Sequence, residues 1–359
     1  MACFSAQGLW KKRLRESGAK IYSITGEGEP QRFWNPRAWL RLMQACRRFR
    51  PDLVTGSMFE GILHAHVVAR VFQIPLVVED QFDPWGKGGR LGRVSYHCAA
   101  RHSRLAVSVS QRGALYLQRR VGLAPQRVRT IYNPANLLRT SSSKADSLSW
   151  APGYLQKPCI GTLCRLDDRH KKISLMLEAV GRLGTGVRVL IVGDGPDRGR
   201  LQKYARLACP DSQILFVGYR SNPSKFLQAM DIFVIPSAHE AMPLSLAEAM
   251  MEGRCCVGSR VGGIVEILGP RTDDRLGECG KLFSPGNTVE LAEILRNLLA
   301  LRIVRRNFER KAASRARRLF QPERHARLIE QAYYDAVGLA GSLSREDPCS
   351  EIARRRKKK

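Results

Sequence analysis

Short apolar, β-rich runs alternate with helix-patterned segments along this chain, and that rhythm constrains its fold more than any other feature. In the first half, Lys20–Ile24, Asp52–Thr55, Pro75–Glu79, Leu105–Ser110 and Val128–Tyr132 read as strands. Between them, Pro36–Arg50 and Gly61–Phe72 read as helices, and Trp85–Arg93 as a Gly-rich basic loop. Asn35 is placed to cap the first helix, with Pro36 at its first position. Trp39, Leu42, Met43, Cys46 and Phe49 recur at helical spacing with arginines opposite, which predicts a helix packed on a sheet rather than one lying in a membrane. The polar stretch 137–157, with Thr140-Ser-Ser-Ser-Lys, breaks the rhythm as a linker does.

A second series begins after it, with strands at Pro158–Cys164, Val187–Val192, Gln213–Val217, Ile232–Ile235, Cys255–Val257 and Lys281–Phe283. Ile173, Met176, Leu177 and Val180 share one face of an intervening helix, and the chain ends in helices at Val289–Leu301, Val304–Phe320 and Pro322–Val337. Strand–helix alternation implies parallel sheets covered by helices, so the expected class is α/β with two Rossmann-like domains facing across a cleft. The expected spans are 1–140 for the first domain, 141–157 for the linker, 158–320 for the second domain, 321–340 for a helix packing back on the first, and 341–359 for a basic disordered tail.

Composition narrows the function. Apolar residues make up 44% of the 359 positions, enough to bury a core. The ten cysteines form no CxxC pair and no zinc-spaced cluster, which reads as free thiols in a reducing compartment. Met1–Trp10 is too short and mixed for a signal peptide, and no apolar run reaches the ~20 residues of a membrane span. The expectation is a cytoplasmic protein, with peripheral attachment to the inner face of the membrane as an option. The net charge of +28 asks for an anionic partner: lipid, nucleic acid or a phosphorylated small molecule. No helix-turn-helix, zinc finger or RNP-like aromatic pattern favours nucleic acid.

Four segments carry chemistry. In Ser237-Ala-His-Glu-Ala-Met-Pro-Leu-Ser-Leu-Ala-Glu-Ala-Met, a strand ends in a Pro-Ser turn and Pro243 opens a helix. Its free backbone N–H groups suit a phosphate, and Met242, Pro243, Leu244 and Ser245 form that helix start. Glu240 precedes the helix and can accept from sugar hydroxyls, and Glu248, about one and a half turns in, from a ribose diol. An ordinary capped helix with solvent-facing acids fits the pattern equally well. Arg165 and Lys171 follow a strand and can converge on a diphosphate, although a solvated loop is an alternative and Lys172 could replace Lys171. Val192-Gly-Asp-Gly-Pro196, with Gly193 and Gly195, is a strand-to-helix turn. Val261-Gly-Gly-Ile-Val-Glu266 pairs glycines that admit close backbone approach with an acid near a helix start.

Taken together, Gly161/Arg165…Lys171, Val192–Pro196, Phe216–Gly218, Asp231…Pro236-Ser237…Glu240…Glu248…Gly253, Gly262-Gly263…Glu266 and Gly280…Gly286 resemble the donor domain of glycosyltransferase family 4, of GT-B fold. Runs in the first half fall, more loosely, where such enzymes have their acceptor domain. The resemblance implies a retaining, metal-independent glycosyltransferase that uses a UDP- or GDP-sugar. Its acceptor would be a glycan or a lipid-linked molecule, in cell-surface polysaccharide or lipopolysaccharide synthesis. It implies that Arg165 and Lys171 hold the diphosphate, Glu240 the transferred sugar and Glu248 the ribose, with Tyr219 and Arg220 near the base.

Two departures stand out. Met1–Trp10 resembles the segment after the family's first strand and helix, so the first domain is expected to lack its first βαβ element. The strand near Leu76–Glu79 is followed by no histidine, which leaves Glu79 or Asp80 on the acceptor side. A shortened non-catalytic relative that binds a nucleotide or a partner, a basic nucleic-acid-binding protein and a sugar-nucleotide epimerase are the rival readings. No metal and no cofactor beyond the donor substrate is expected.

Overall fold

A computed structural model describes residues 2–3, 16, 18–24, 35–81, 89–135, 156–184 and 186–338. The expected linker lies outside these residues apart from its last two positions, as does the C-terminal tail.

Among the described residues the first half contains β1 (Ala2–Cys3), β2 (Tyr22–Ser23), α1 (Pro36–Phe49), β3 (Val54–Ser57), α2 (Met58–Phe72), β4 (Leu76–Asp80), α3 (Gly89–His102), β5 (Leu105–Ser108), α4 (Gln111–Tyr116) and β6 (Val128–Thr130). Strands β3-β4-β5-β6 form a parallel sheet in that order. Strands β1 and β2 pair in parallel as a separate two-stranded sheet, so the chain enters through a strand where the sequence suggested none. Two residues are too few to show a period of two. Residues Gly89–Arg93, expected within a loop, form the first turn of α3, because Tyr96, Ala99 and Ala100 bury a helical face against Ile62, Ala65 and Ala69 of α2. The rest of that expected loop, 85–88, lies outside the described residues.

Helix α1 packs as expected. The Asn35 side chain accepts from the Arg37 and Ala38 N–H groups, and Ala38 and Leu42 are buried against Ile24 and Val68.

The second half contains β7 (Cys159–Leu163), α5 (Asp168–Lys171), α6 (Ile173–Gly181), β8 (Arg188–Val192), α7 (Arg198–Ala208), β9 (Gln213–Gly218), α8 (Ser224–Gln228), β10 (Ile232–Ile235), α9 (Leu244–Met251), β11 (Cys255–Ser259), α10 (Gly262–Leu268), β12 (Lys281–Phe283), α11 (Thr288–Ala300), α12 (Arg302–Leu319) and α13 (Pro322–Val337). Its six strands are parallel, in the order β12-β11-β10-β7-β8-β9.

Alternation along the strands splits each core in two. In the second half, Ile160, Val189, Ile191, Ile232 and Val234 face α6, α7 and α11, while Cys159, Leu190, Val192, Phe233 and Ile235 face α8, α9, α10 and α12. In the first half, Leu76, Val78 and Ala106 face α2 and α3, whereas Val77, Leu105 and Val107 meet Ala332 and Ala336 of α13. The last helix thus returns to the first sheet. The cysteines from Cys46 to Cys279 are free thiols.

One buried ion locks the second half. Arg315 on α12 is 0% exposed. Its guanidinium donates to both Asp274 oxygens (2.8 and 2.9 Å) and to the carbonyls of Ile267, Gly269 and Gly277 (2.7, 2.6 and 2.7 Å). All five donors are used, as a desolvated guanidinium requires. Burial disfavours the Asp274 carboxylate, but Arg315 and the Leu276 N–H outweigh it and hold this carboxyl below its ordinary value.

Arg315→Met is expected to destabilise the fold by about 3–5 kcal/mol, because Asp274 loses its buried bidentate partner and keeps Arg318, at the surface, as its ionic partner, whereas Arg317→Met on the exposed face shifts it by at most about 0.5 kcal/mol. Urea denaturation measures both. Asp274 titrates lower in the folded chain than in the unfolded one, so its contribution is complete above about pH 4 and is lost as pH falls through the folded value. In Arg315→Met that low-pH slope of stability flattens, which acid titration of unfolding checks.

Candidate active site

The strand order locates the site. From β7 the chain winds to one side through β8 and β9, then returns to the other side through β10, β11 and β12. The loops leaving β7 and β10 therefore diverge at the carboxyl end of the sheet and leave a crevice, the usual ligand position in open α/β sheets. Arg165 and Lys171 follow β7, and Ser237, Glu240 and the start of α9 follow β10.

Lys171 and Glu240 meet there. The Lys171 Nζ donates to Glu240 Oε1 at 2.5 Å, and the Ser237 hydroxyl donates to the same oxygen at 2.8 Å. The lysine side chain is 27% exposed and the glutamate 11%, so the pair sits at a half-open surface. Lys172 takes a left-handed conformation (φ 50°) between α5 and α6, which makes Lys171 the lysine that reaches Glu240. Arg165 is exposed, and its side chain has no hydrogen-bond or ion-pair partner among the described residues.

Buried polar contacts hold the lysine's helix. Asp168 accepts from the Ser174 N–H and from Arg200, each at 2.8 Å, and Asp197 accepts from the Asp168 N–H at 2.8 Å. Burial opposes the Asp168 charge, yet these donors keep its carboxyl below the ordinary value. Behind the lysine, burial pushes the Cys164 thiol up to about 11, so it is neutral and unreactive at pH 7.

The glycines act first on neighbouring backbone. Gly193 has φ 128°, and a Cβ there would collide with the Cys164 carbonyl; a Cβ on Gly195 would meet the Leu166 backbone at 2.6 Å. The Leu166 N–H donates to the Asp194 carbonyl (3.0 Å) and the Asp197 N–H to the Leu166 carbonyl (3.0 Å). The turn from β8 thereby fixes the loop that carries Arg165. Gly262, at φ 42°, leaves no room for a Cβ beside the Glu240 carbonyl, and that carbonyl accepts from the Gly263 N–H at 2.9 Å.

Other expected residues are spread around this centre. Pro243 is the N-cap of α9 rather than its first residue. The first internal bond of α9 runs from the Leu246 N–H to the Pro243 carbonyl (3.2 Å), so the N–H groups of Leu244 and Ser245 lie ahead of it. Met242 is buried and Leu244 is 45% exposed. Glu248 is half-buried within α9. Tyr219, 60% exposed, follows β9 at the sheet edge. Arg220 lies 5.7 Å from the Phe226 ring centroid. On the other half, Glu79 accepts from the Ser57 and Tyr333 hydroxyls. Asp80, 1% exposed, points to the opposite face, toward the Tyr96 phenol. Both carboxylates thus face structural neighbours.

Sequence reasoning left Ser237, Asp168 and Arg200 without roles, since polar residues near a loop carry no periodic signal. It also missed the contact between the halves. Glu266 on α10 accepts from the Gln111 N–H through both oxygens (2.9 and 3.0 Å) and from the Tyr132 hydroxyl. Arg271 donates to that hydroxyl at 2.9 Å, lies 5.4 Å from the Tyr132 ring centroid and pairs with Asp273 at 2.8 Å. Two further bonds cross the halves, Ala135 N–H to the Phe320 carbonyl (2.9 Å) and His325 Nδ1 with the Tyr132 carbonyl (2.9 Å).

Known proteins resemble this chain in sequence and in fold. Residues 157–300 match the family model described as glycosyl transferases group 1, and residues 4–139 match that of glycosyltransferase family 4. N-acetyl-alpha-D-glucosaminyl L-malate synthase of Bacillus anthracis is 29% identical over 46% of this chain and 43% of its own. Sulfoquinovosyl transferase SQD2 of Arabidopsis thaliana is 24% identical over 80% of this chain and 61% of its own. The chain therefore matches less than two thirds of the length of these two relatives. Among solved structures, Anabaena HepE in complex with UDP-glucose superimposes with a TM-score of 0.76 at 19% identity, covering 93% of this chain and 91% of that one. Sucrose-phosphate synthase of Thermosynechococcus elongatus superimposes at 0.71 and 19%, covering 85% and 78%. With two parallel-sheet domains, both family models and the motif positions in agreement, the chain belongs to the group 1 glycosyltransferases of family 4, on the GT-B fold.

Proposed function

We propose that this chain transfers a sugar from a UDP- or GDP-sugar to a glycan or lipid-linked acceptor, with retention at the anomeric carbon and without a metal ion. The observation that carries this reading is the Lys171–Glu240 pair at the switch point of the second sheet, on the loop that also presents Arg165 with no side-chain partner among the described residues. An arriving diphosphate would pair with Arg165, draw Lys171 into the same anion site and accept from the N–H groups of Leu244 and Ser245. Glu240 would then hold the hydroxyls of the transferred sugar, and Glu248 the ribose diol. Tyr219 and Arg220 would flank the base.

In the step itself, the acceptor oxygen bonds to the anomeric carbon while the bond from that carbon to the phosphate oxygen breaks. The departing diphosphate takes the acceptor proton on the same face. Arg165 and Lys171 stabilise the charge that develops on it, an electrostatic role elsewhere filled by a divalent ion. The UDP and UDP-glucose bound by Anabaena HepE support a UDP-sugar as the first donor to try.

The acceptor half supports attachment to an anionic membrane. Helix α3 exposes Leu91 (76%) and Val94 (65%) beside Arg90 and Arg93, and α1 exposes Leu40 (63%) and Phe49 (54%) with Arg37, Arg47 and Arg48. No described helix is long and apolar enough to cross a membrane.

UDP-glucose or GDP-mannose, in the presence of EDTA, is expected to raise the melting temperature by several degrees. Arg165→Ala should weaken nucleotide affinity about tenfold or more, and Glu240→Gln should lower transfer about a hundredfold while leaving UDP affinity within about threefold. Calorimetry that finds no nucleotide binding by the folded chain defeats the proposal, and salt-sensitive DNA binding in its place favours the nucleic-acid reading. In flotation assays the chain should rise with phosphatidylglycerol vesicles and not with phosphatidylcholine, and Leu91→Ser with Val94→Ser should abolish the effect. Equal flotation on both lipids defeats the preference for an anionic membrane, and flotation on neither defeats membrane attachment.

A further inference from the structure

The G-G-x-x-E segment has a role that donor binding leaves unused. Its helix, α10, touches both halves of the reaction site. At its start, Gly263 donates to the Glu240 carbonyl, and Gly262 sits so close to that oxygen that α10 cannot slide without carrying Glu240 along. One turn later, Glu266 receives the Gln111 N–H from the first half, at 2.9 and 3.0 Å, together with the Tyr132 hydroxyl. A carboxylate that accepts from a backbone N–H makes one of the stronger kinds of hydrogen bond. Arg271 also donates to the phenol, at 2.9 Å.

We propose that Glu266 is a positioning residue for the transfer reaction, latching α4 of the acceptor half to α10 so that closure of the two halves and the posture of the Glu240 loop become one motion. The inference rests on the transferase reading above. It assigns Glu266 no contact with donor or acceptor, so nucleotide affinity should be insensitive to it, while the rate of the closed state should depend on it.

The fold supplies a clean pair of variants. Glu266→Ala removes the acceptor of the bond. Gln111→Pro removes the donor: Gln111 is the first residue of α4, where proline is well accepted, and Ser110 before it is extended (φ −149°, ψ 154°), as a residue preceding proline should be. The Ser110 cap is unaffected, since its hydroxyl accepts from the Gly113 N–H at 3.1 Å. With the full chain and UDP-glucose as probe, each variant is expected to slow hydrolysis about tenfold while the Kd for UDP stays within about twofold. Because both delete the Gln111–Glu266 bond, the double variant should lose no more than Glu266→Ala alone, about tenfold and not about a hundredfold. Small-angle scattering should show a larger radius of gyration for each. A multiplicative loss, an unchanged rate in folded single variants, or a parallel collapse of UDP affinity overturns the latch. If the parent chain turns over no nucleotide sugar, the transferase reading fails, and the latch stands or falls on scattering: unchanged radii in both variants overturn it.

Discussion

At the carboxyl ends of β7, β8, β10 and β11, one loop lies directly on the backbone of the next, and the site depends on that contact. Gly193 lies on the Cys164 carbonyl and Gly262 on the Glu240 carbonyl, each in a left-handed conformation that a side chain would oppose. These contacts let short loops place Arg165, Lys171 and Glu240 on a rigid sheet instead of on long, adaptable segments. The glycines of this chain are therefore scaffolding for charge. They hold the residues that would meet a diphosphate, whether or not they touch it themselves.

A second constraint is the way charge is managed inside a strongly basic protein. Arg315 is buried with all five donors used, Asp168 is held ionised by Ser174 and Arg200, and Lys171 is matched by Glu240. Each buried or half-buried ion is answered locally, so the excess positive charge lies mostly on exposed faces. Arg165, exposed on the loop that follows β7, has no side-chain partner among the described residues.

The two halves meet through polar groups as well as through the packing of α13 on the first sheet. The hydrogen bonds of Glu266, His325 and Ala135 are directional and replaceable by water. Glu79 and Asp80 illustrate a related point. The alternation of β4 sends them to opposite faces, one to Tyr333 of the returning helix and one to Tyr96 of α3. Neighbours in sequence, they belong to different environments.

The amino-acid sequence alone determined the class of fold, the strand positions of the second half to within a residue or two, the helix of Pro36–Phe49 and the set of motifs that point to the family. These features are written in periods of two and 3.6, in cap residues and in glycine spacing, all of which are local. The tertiary structure alone decided that Lys171 and not Lys172 faces Glu240, that Gly89–Arg93 is helical, that Ala2–Cys3 finds a strand partner and that Glu266 reaches Gln111 and Tyr132. Each of these outcomes joins residues far apart in the chain or turns on a single backbone angle. Hydrogen bonds between distant segments leave no periodic trace, so only the folded geometry could reveal them.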